Sequence, residues 1–132
     1  MGCSGIVELL VRWALQNEHH KVLAAYMYYV ENRSPSEIAA AIHHQRLAVR
    51  GWLQRLRRKC NGPDARIARV VRLAFPVVFA LPPAAKGKRV DPGTLRKVTR
   101  EVLEELRKIL SANPRYFQHF QIEKVQVECR CT

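Results

Sequence analysis

Residues 34–58 read SPSEIAAAIHHQRLAVRGWLQRLRR, and this stretch carries the clearest structural signals in the 132-residue chain. Its first four residues have the spacing of a capping box, in which Ser34 and Glu37 each accept a hydrogen bond from the other's backbone amide. Proline stands at the first helical position, where its missing N–H is tolerated. A short helix is therefore predicted over 35–41, followed by a tight turn and a longer helix over 45–60.

The longer helix is predicted to be amphipathic and strongly basic. One apolar face is formed by residues at helical spacing: Val49, Trp52, Leu53 and Leu56. Arginine and glutamine fill most of the other positions, and the basic run at 55–59 has no acidic partner nearby in the sequence. One side of this helix is therefore expected to be buried and the other exposed.

The segment 35–54 resembles a helix-turn-helix of the tri-helical, homeodomain-like kind found in transcription regulators and in the DNA-binding ends of transposases. The family pattern has a small residue at its fifth position, where two helices approach closely, and here this residue is Ala39. The apolar residues at its fourth, eighth, fifteenth and eighteenth positions are Ile38, Ile42, Val49 and Trp52. This chain departs from the pattern at the turn, where it has His43, His44 and Gln45 in place of the usual glycine, apolar residue and Ser or Thr cap.

The resemblance implies three helices within residues 18–58, the last of which, at 45–58, is a recognition helix lying in the major groove. Arg can grip guanine and Gln can grip adenine with two hydrogen bonds, so the early exposed residues would read base edges. These base-reading candidates are Gln45, Arg46, Arg50 and Gln54. The candidates for phosphate contacts are Arg33, Arg55, Arg57, Arg58, Lys59, Arg66 and Arg69. Gly51 would let the DNA or a neighbouring helix come close.

The charge distribution points to a polyanionic partner. The formal net charge is +12, and residues 45–90 hold twelve Lys and Arg against one acidic residue, Asp64. An excess concentrated in one third of the chain is typical of a nucleic-acid footprint. We therefore expect a protein that binds nucleic acid, and the resemblance to helix-turn-helix proteins implies a transcription regulator that binds DNA, with duplex favoured over single strand.

Two alternatives stay open. The first is a sequence-independent binder of single-stranded DNA or RNA, in which the basic stretch 45–90 lines a groove. The aromatic residues that could stack on bases in this binder are Tyr28, Phe75, Phe79 and Tyr116. The second is a protein interaction module that joins an acidic partner without nucleic acid.

The rest of the chain predicts a mainly α protein. Helices are expected over 4–16, 18–31, 63–75 and 91–112, while 75–81 is either a short buried strand or a kinked continuation of the helix before it. The alternation of apolar and polar residues after Tyr116 predicts a short β-strand or hairpin over 116–131.

Three regions follow from these elements. A helical domain over 1–81 contains the helix-turn-helix at 35–58, a basic linker covers 82–90, and a helix and strand occupy 91–132. The C-terminal helix carries an apolar stripe, which either packs back on the core or pairs with a second copy. Because two-fold dimers reading two half-sites are common among such regulators, we expect a homodimer.

Other functions find little support. The only aspartates, Asp64 and Asp91, lie at helix starts, and no phosphate-binding glycine loop or nucleophile with a base is present, so we expect no enzyme, cofactor or small-molecule substrate. No cysteine pair has the spacing of a zinc site, so no metal is expected, and the thiols are expected to be free. The chain lacks a secretion signal and an apolar run of about 18 residues, so a cytoplasmic protein without membrane contact is expected.

Overall fold

A computed structural model describes residues 4–60, 63–84 and 89–112. Within these ranges the protein is mainly helical, as the sequence predicts, and has no strand. The helices are α1 (Ser4–Leu15), α2 (His19–Tyr29), α3 (Pro35–Ile42), α4 (Arg46–Arg57), α5 (Asp64–Phe79) and α6 (Pro92–Ala112). The β-strand or hairpin expected over 116–131 lies outside the described residues.

Helix α1 lies at the centre of the fold. Val7 and Val11 share one side of the helix and Trp13 lies on another, and all three are at most 1% exposed. A helix that is apolar on nearly every side must be covered on nearly every side. Helices α2, α4, α5 and α6 provide this cover, since each of them contacts α1.

Helix α5 settles the two alternatives for residues 75–81. The helix continues through Pro76 to Phe79, so this stretch is a continuation of the helix and not a strand. Val71, Ala74 and Val78 are fully buried along one side, and they hold the last turns against the core. Pro76 is exposed on the outer side, where its ring leaves these buried contacts undisturbed.

Helix α6 packs back on the core, against α1 and α5. Its buried residues are Leu95, Thr99, Val102, Leu106 and Leu110. Asp91, which the sequence places at the start of this helix, caps it: the backbone N–H of Thr94 donates to Asp91 Oδ2 at 3.1 Å. Of the two alternatives for the α6 stripe, the structure therefore has the one in which it belongs to the chain's own core.

The described ends of the stretch 82–90 also contact the core. The backbone N–H of Ala84 donates to the carbonyl of Leu15 at 2.8 Å, and Val90 is only 9% exposed. Helices α2, α3 and α4 each contact the other two. This group of three helices carries most of the residues that the sequence singles out.

Candidate nucleic-acid interface

Helix α4 exposes one side because the core takes up the other. Val49 and Leu56 are 0% exposed and Leu53 is 5% exposed, and the helix contacts α1, α2 and α3. Five exposed arginines lie on α4 and its C-terminal cap: Arg46, Arg50, Arg55, Arg57 and Arg58. No acidic residue occurs between 45 and 59. The helix is thus fixed by an apolar side and presents a cationic one.

The start of α3 is fixed by the capping box that the sequence predicts. The backbone N–H of Glu37 donates to Ser34 Oγ at 3.2 Å, and the N–H of Ser34 donates to Glu37 Oε1 at 2.9 Å. The bond from the Ser34 backbone N–H lowers the pKa of the Glu37 carboxyl, and hydrogen bonding by the Ser34 side chain lowers it further, because both stabilise the charged form of the carboxyl. With Pro35 in its first turn, α3 therefore begins at a defined residue beside α4.

The turn between α3 and α4 has a left-handed backbone at His43, the position at which the family pattern usually has glycine. His43 has φ 59° and ψ 48°, a conformation that costs a non-glycine residue about 1 kcal/mol. The N–H groups of His43 and His44 both donate to the carbonyl of Ala39. These bonds cap the end of α3 and turn the chain towards Gln45, the N-cap residue of α4.

Three aromatic rings pack against one another next to this turn. His44 stacks on His20 of α2, with ring centroids 4.7 Å apart and planes 5° apart, and both rings meet Trp52 of α4 edge-on at 5.2 Å. Lys21 Nζ lies 5.5 Å from the Trp52 ring centroid. Burial, together with the nearby His44 and Lys21, lowers the pKa of His20. The histidine pair at 19 and 20 indicates only a polar helix junction in the sequence, so the role of His20 could not be predicted.

One flank of α4 and the start of α3 enclose a basic recess of about 360 Å³. Its lining includes Tyr28, Ser36, Arg46, Arg50, Gln54 and Arg57. The structure therefore brings three of the four base-reading candidates into one concave surface. The fourth, Gln45, is exposed at the N-cap position of α4. Guanidinium, amide and hydroxyl donors grouped in this way suit the oxygen atoms of a phosphate or of a base edge.

Two of the phosphate candidates have acidic neighbours. Arg57 Nε lies 3.5 Å from Asp64 Oδ1, and Arg33 Nε lies 3.1 Å from Glu31 Oε1. The expectation that the run at 55–59 lacks an acidic partner is therefore wrong for Arg57, because Asp64, the first residue of α5, lies beside the end of α4. Both pairs are solvent-exposed, and exposed ion pairs of this kind are weak and screened by salt.

The remaining phosphate candidates occupy three different surroundings. Arg55 and Arg58 are exposed on α4 and its cap. Lys59 is half-buried beside the first turn of α1, where its carbonyl oxygen would lie 3.1 Å from a Cβ added to Gly5. Arg66 and Arg69 are half-buried on α5 and do not line the basic recess. The structure therefore groups the candidates on α4 and leaves Lys59, Arg66 and Arg69 outside that group.

Two further residues define the outward side of α4. Leu47 is 70% exposed, although it is a large aliphatic residue. A Cβ built on Gly51, one turn later, would meet nothing within 4 Å outside the backbone of α4 itself. At about 100° per residue, Leu47 lies about 160° from Val49, so a helical wheel drawn from the sequence would have placed it on the outside. Leu47 is the one large apolar residue of α4 that is exposed, and it is not among the base-reading candidates.

The chain matches no known family model, no curated protein and no solved structure. Among the described residues, no group of three or more His, Cys, Asp or Glu side chains could hold a metal ion. No helix within the described ranges is both long and apolar enough to cross a membrane.

Proposed function

We propose that this protein is a transcription regulator that binds duplex DNA through α4, with α2, α3 and α4 acting as a tri-helical helix-turn-helix. One observation carries the proposal: the buried side of α4 fixes the helix so that five arginines and no acidic residue face outward. A helix about 10–12 Å across fits the major groove, which is about 12 Å wide.

The basic recess supports two different roles for the residues around α4, base reading and phosphate binding. Arg46, Arg50 and Gln54 lie on one flank beside Ser36, so they can reach base edges while the start of α3 meets the adjacent phosphates. Gln45, at the N-cap of α4, completes the base-reading set. Arg50 and Gln54 are one turn apart, so they would read neighbouring base pairs.

Phosphate contacts then fall on both sides of the helix. Arg55 and Arg57 are two residues apart and leave α4 in directions about 160° apart, so each can approach a different strand of the groove. Arg58 extends this contact at the C-terminal cap, and Arg33 adds a cation at the start of α3. Arg57 and Arg33 would exchange their exposed acidic partners for phosphates, which costs little because such pairs are weak in water.

The experiment starts with duplexes selected from a random library by the full chain. Competition binding then compares the selected duplex, a random duplex and a single strand at 50 mM and 200 mM salt. We expect preference for duplex, tighter binding of the selected sequence, and weaker binding at the higher salt concentration because phosphate contacts release counterions. Preference for single strands would favour the sequence-independent alternative, and salt-insensitive or absent binding would favour the protein interaction module.

Three variants locate the contact. Arg50→Ala is expected to cost about 1–3 kcal/mol on the selected duplex and to relax base choice, while Arg58→Ala weakens all sequences alike. Arg100→Ala removes the same charge from the exposed side of α6 and serves as the matched control. Small and equal losses in all three variants would contradict base reading by α4.

Of the aromatic residues considered for the single-strand alternative, Phe79 is 40% exposed, whereas Phe75 and Tyr28 are half-buried. The ring of Phe75 already packs against other rings of the chain, because its centroid lies 4.3 Å from that of Tyr26 and 5.0 Å from that of Phe79. Tyr28 lies edge-on to Tyr29 at 4.9 Å, and Tyr116 lies outside the described residues.

The expected homodimer remains a prediction, to be checked by sedimentation of the free and the DNA-bound chain.

A further inference from the structure

The outward side of α4 contains an apolar group between cations. Leu47 is 70% exposed, whereas the other apolar residues of the helix are buried or half-buried. Arg46 precedes it and Arg50 follows it by one turn, and both are exposed. A surface that fits this arrangement must offer an apolar group flanked by negative charge.

Gly51 lies one turn after Leu47 on the same outward side of the helix. Glycine inside a helix is destabilising relative to alanine, and close approach of the backbone to another element or to a ligand is one use of it. Here a side-chain Cβ would meet nothing within 4 Å outside the backbone of α4, so no described part of the chain uses the space. The space is open to a bound partner.

We propose that Leu47 contacts the C5 methyl group of a thymine in the major groove and that Gly51 lets α4 approach the same base pair closely. The inference rests on the proposed function. The thymine methyl is the apolar group that base pairs present in the major groove, and the phosphates on either side supply the negative charge. The target site therefore contains an A·T pair next to the pair read by Arg50.

Replacing single thymines by deoxyuridine tests this contact, because the change removes the methyl group and keeps the hydrogen-bonding edge. The full chain and its Leu47→Ala variant are titrated with the selected duplex and with a set of duplexes in which each thymine in turn is deoxyuridine. For the wild-type chain we expect one position at which the replacement weakens binding about fourfold, the effect of one buried methyl group. For Leu47→Ala the same replacement should change the affinity less than 1.5-fold, about the limit of measurement.

The outcomes of these titrations test the thymine contact of Leu47 separately from duplex binding through α4. If the wild-type chain prefers duplex and Arg50→Ala weakens binding, but no deoxyuridine position matters, the thymine contact is wrong and the proposed function stands. The same holds if the deoxyuridine effect is equally large in Leu47→Ala. Absence of duplex binding overturns both. Circular dichroism and melting of Leu47→Ala should match the wild type, since an exposed side chain contributes little to folding.

Discussion

Replacing Gly51 by alanine should stabilise the protein and weaken its binding to DNA, two effects of opposite sign. The added methyl group meets nothing within 4 Å outside the α4 backbone, so it introduces no clash in the free chain. Exchanging glycine for alanine inside a helix contributes about 1 kcal/mol to the free energy of unfolding. For a chain of this size the melting temperature should rise by about 4 °C.

The same methyl group would occupy the space that the proposed interface needs. Forcing an extra methyl group into a close contact costs about 1–2 kcal/mol, which raises Kd about fivefold to thirtyfold. Melting is followed by circular dichroism, and Kd is measured by fluorescence anisotropy with the selected duplex. A higher melting temperature with an unchanged Kd would refute close approach of DNA at Gly51.

Gly5→Ala is the matched control for this prediction. There the added Cβ would lie 3.1 Å from the carbonyl oxygen of Lys59 and 3.4 Å from Lys59 Cβ. A backbone carbonyl yields less easily than the end of a flexible side chain, so we expect the melting temperature to fall. If both glycine variants shift the melting temperature equally, the packing distinction between the two positions is wrong.

Three further predictions concern the surroundings of α4. Ser34→Ala removes the side-chain acceptor of the capping box and should lower the free energy of unfolding by about 1 kcal/mol in urea denaturation; an unchanged midpoint would contradict the role of the cap. Because the pKa of His20 is lowered by burial and then by His44 and Lys21, its stabilising contribution is complete above pH 6.5 and is lost as the pH falls through the lowered pKa of the folded state. The melting temperature should therefore drop between pH 7.5 and 5.5, and less so in His44→Ala; an equal drop in that variant would argue against the His20–His44 interaction. Asp64→Asn leaves Arg57 without its acidic partner and should tighten binding to all duplexes about twofold to fivefold at 50 mM salt and less at 200 mM; tighter binding to the selected sequence alone would contradict a phosphate contact.

Local signals in the sequence were sufficient for the elements that carry the site. The capping box at Ser34 and Glu37 is present with both hydrogen bonds, and the tight turn predicted after α3 is present with a left-handed backbone at His43, where φ is 59°. Such features depend on neighbours within four residues, so spacing and residue type are enough to predict them. The apolar face of α4 also follows from spacing, since Val49, Leu53 and Leu56 are all buried.

The parts that sequence reasoning could not supply depend on distant contacts. The apolar stripe identifies α6 as an amphipathic helix, but its packing against α1 and α5 depends on how those two helices are arranged, which no local pattern indicates. The Arg57–Asp64 pair depends on where the start of α5 lies relative to the end of α4. The stacking of His20 on His44 joins residues 24 positions apart, and nothing in their local patterns indicates it.

The contact between the outward side of α4 and duplex DNA can be measured directly by titrating the selected duplex into the 15N-labelled chain and following the backbone amide signals. We expect the largest shifts over residues 33–36 and 45–58, with small shifts along the exposed side of α6. Largest shifts along α6, or no shifts at duplex concentrations that saturate binding in the anisotropy assay, would contradict this contact.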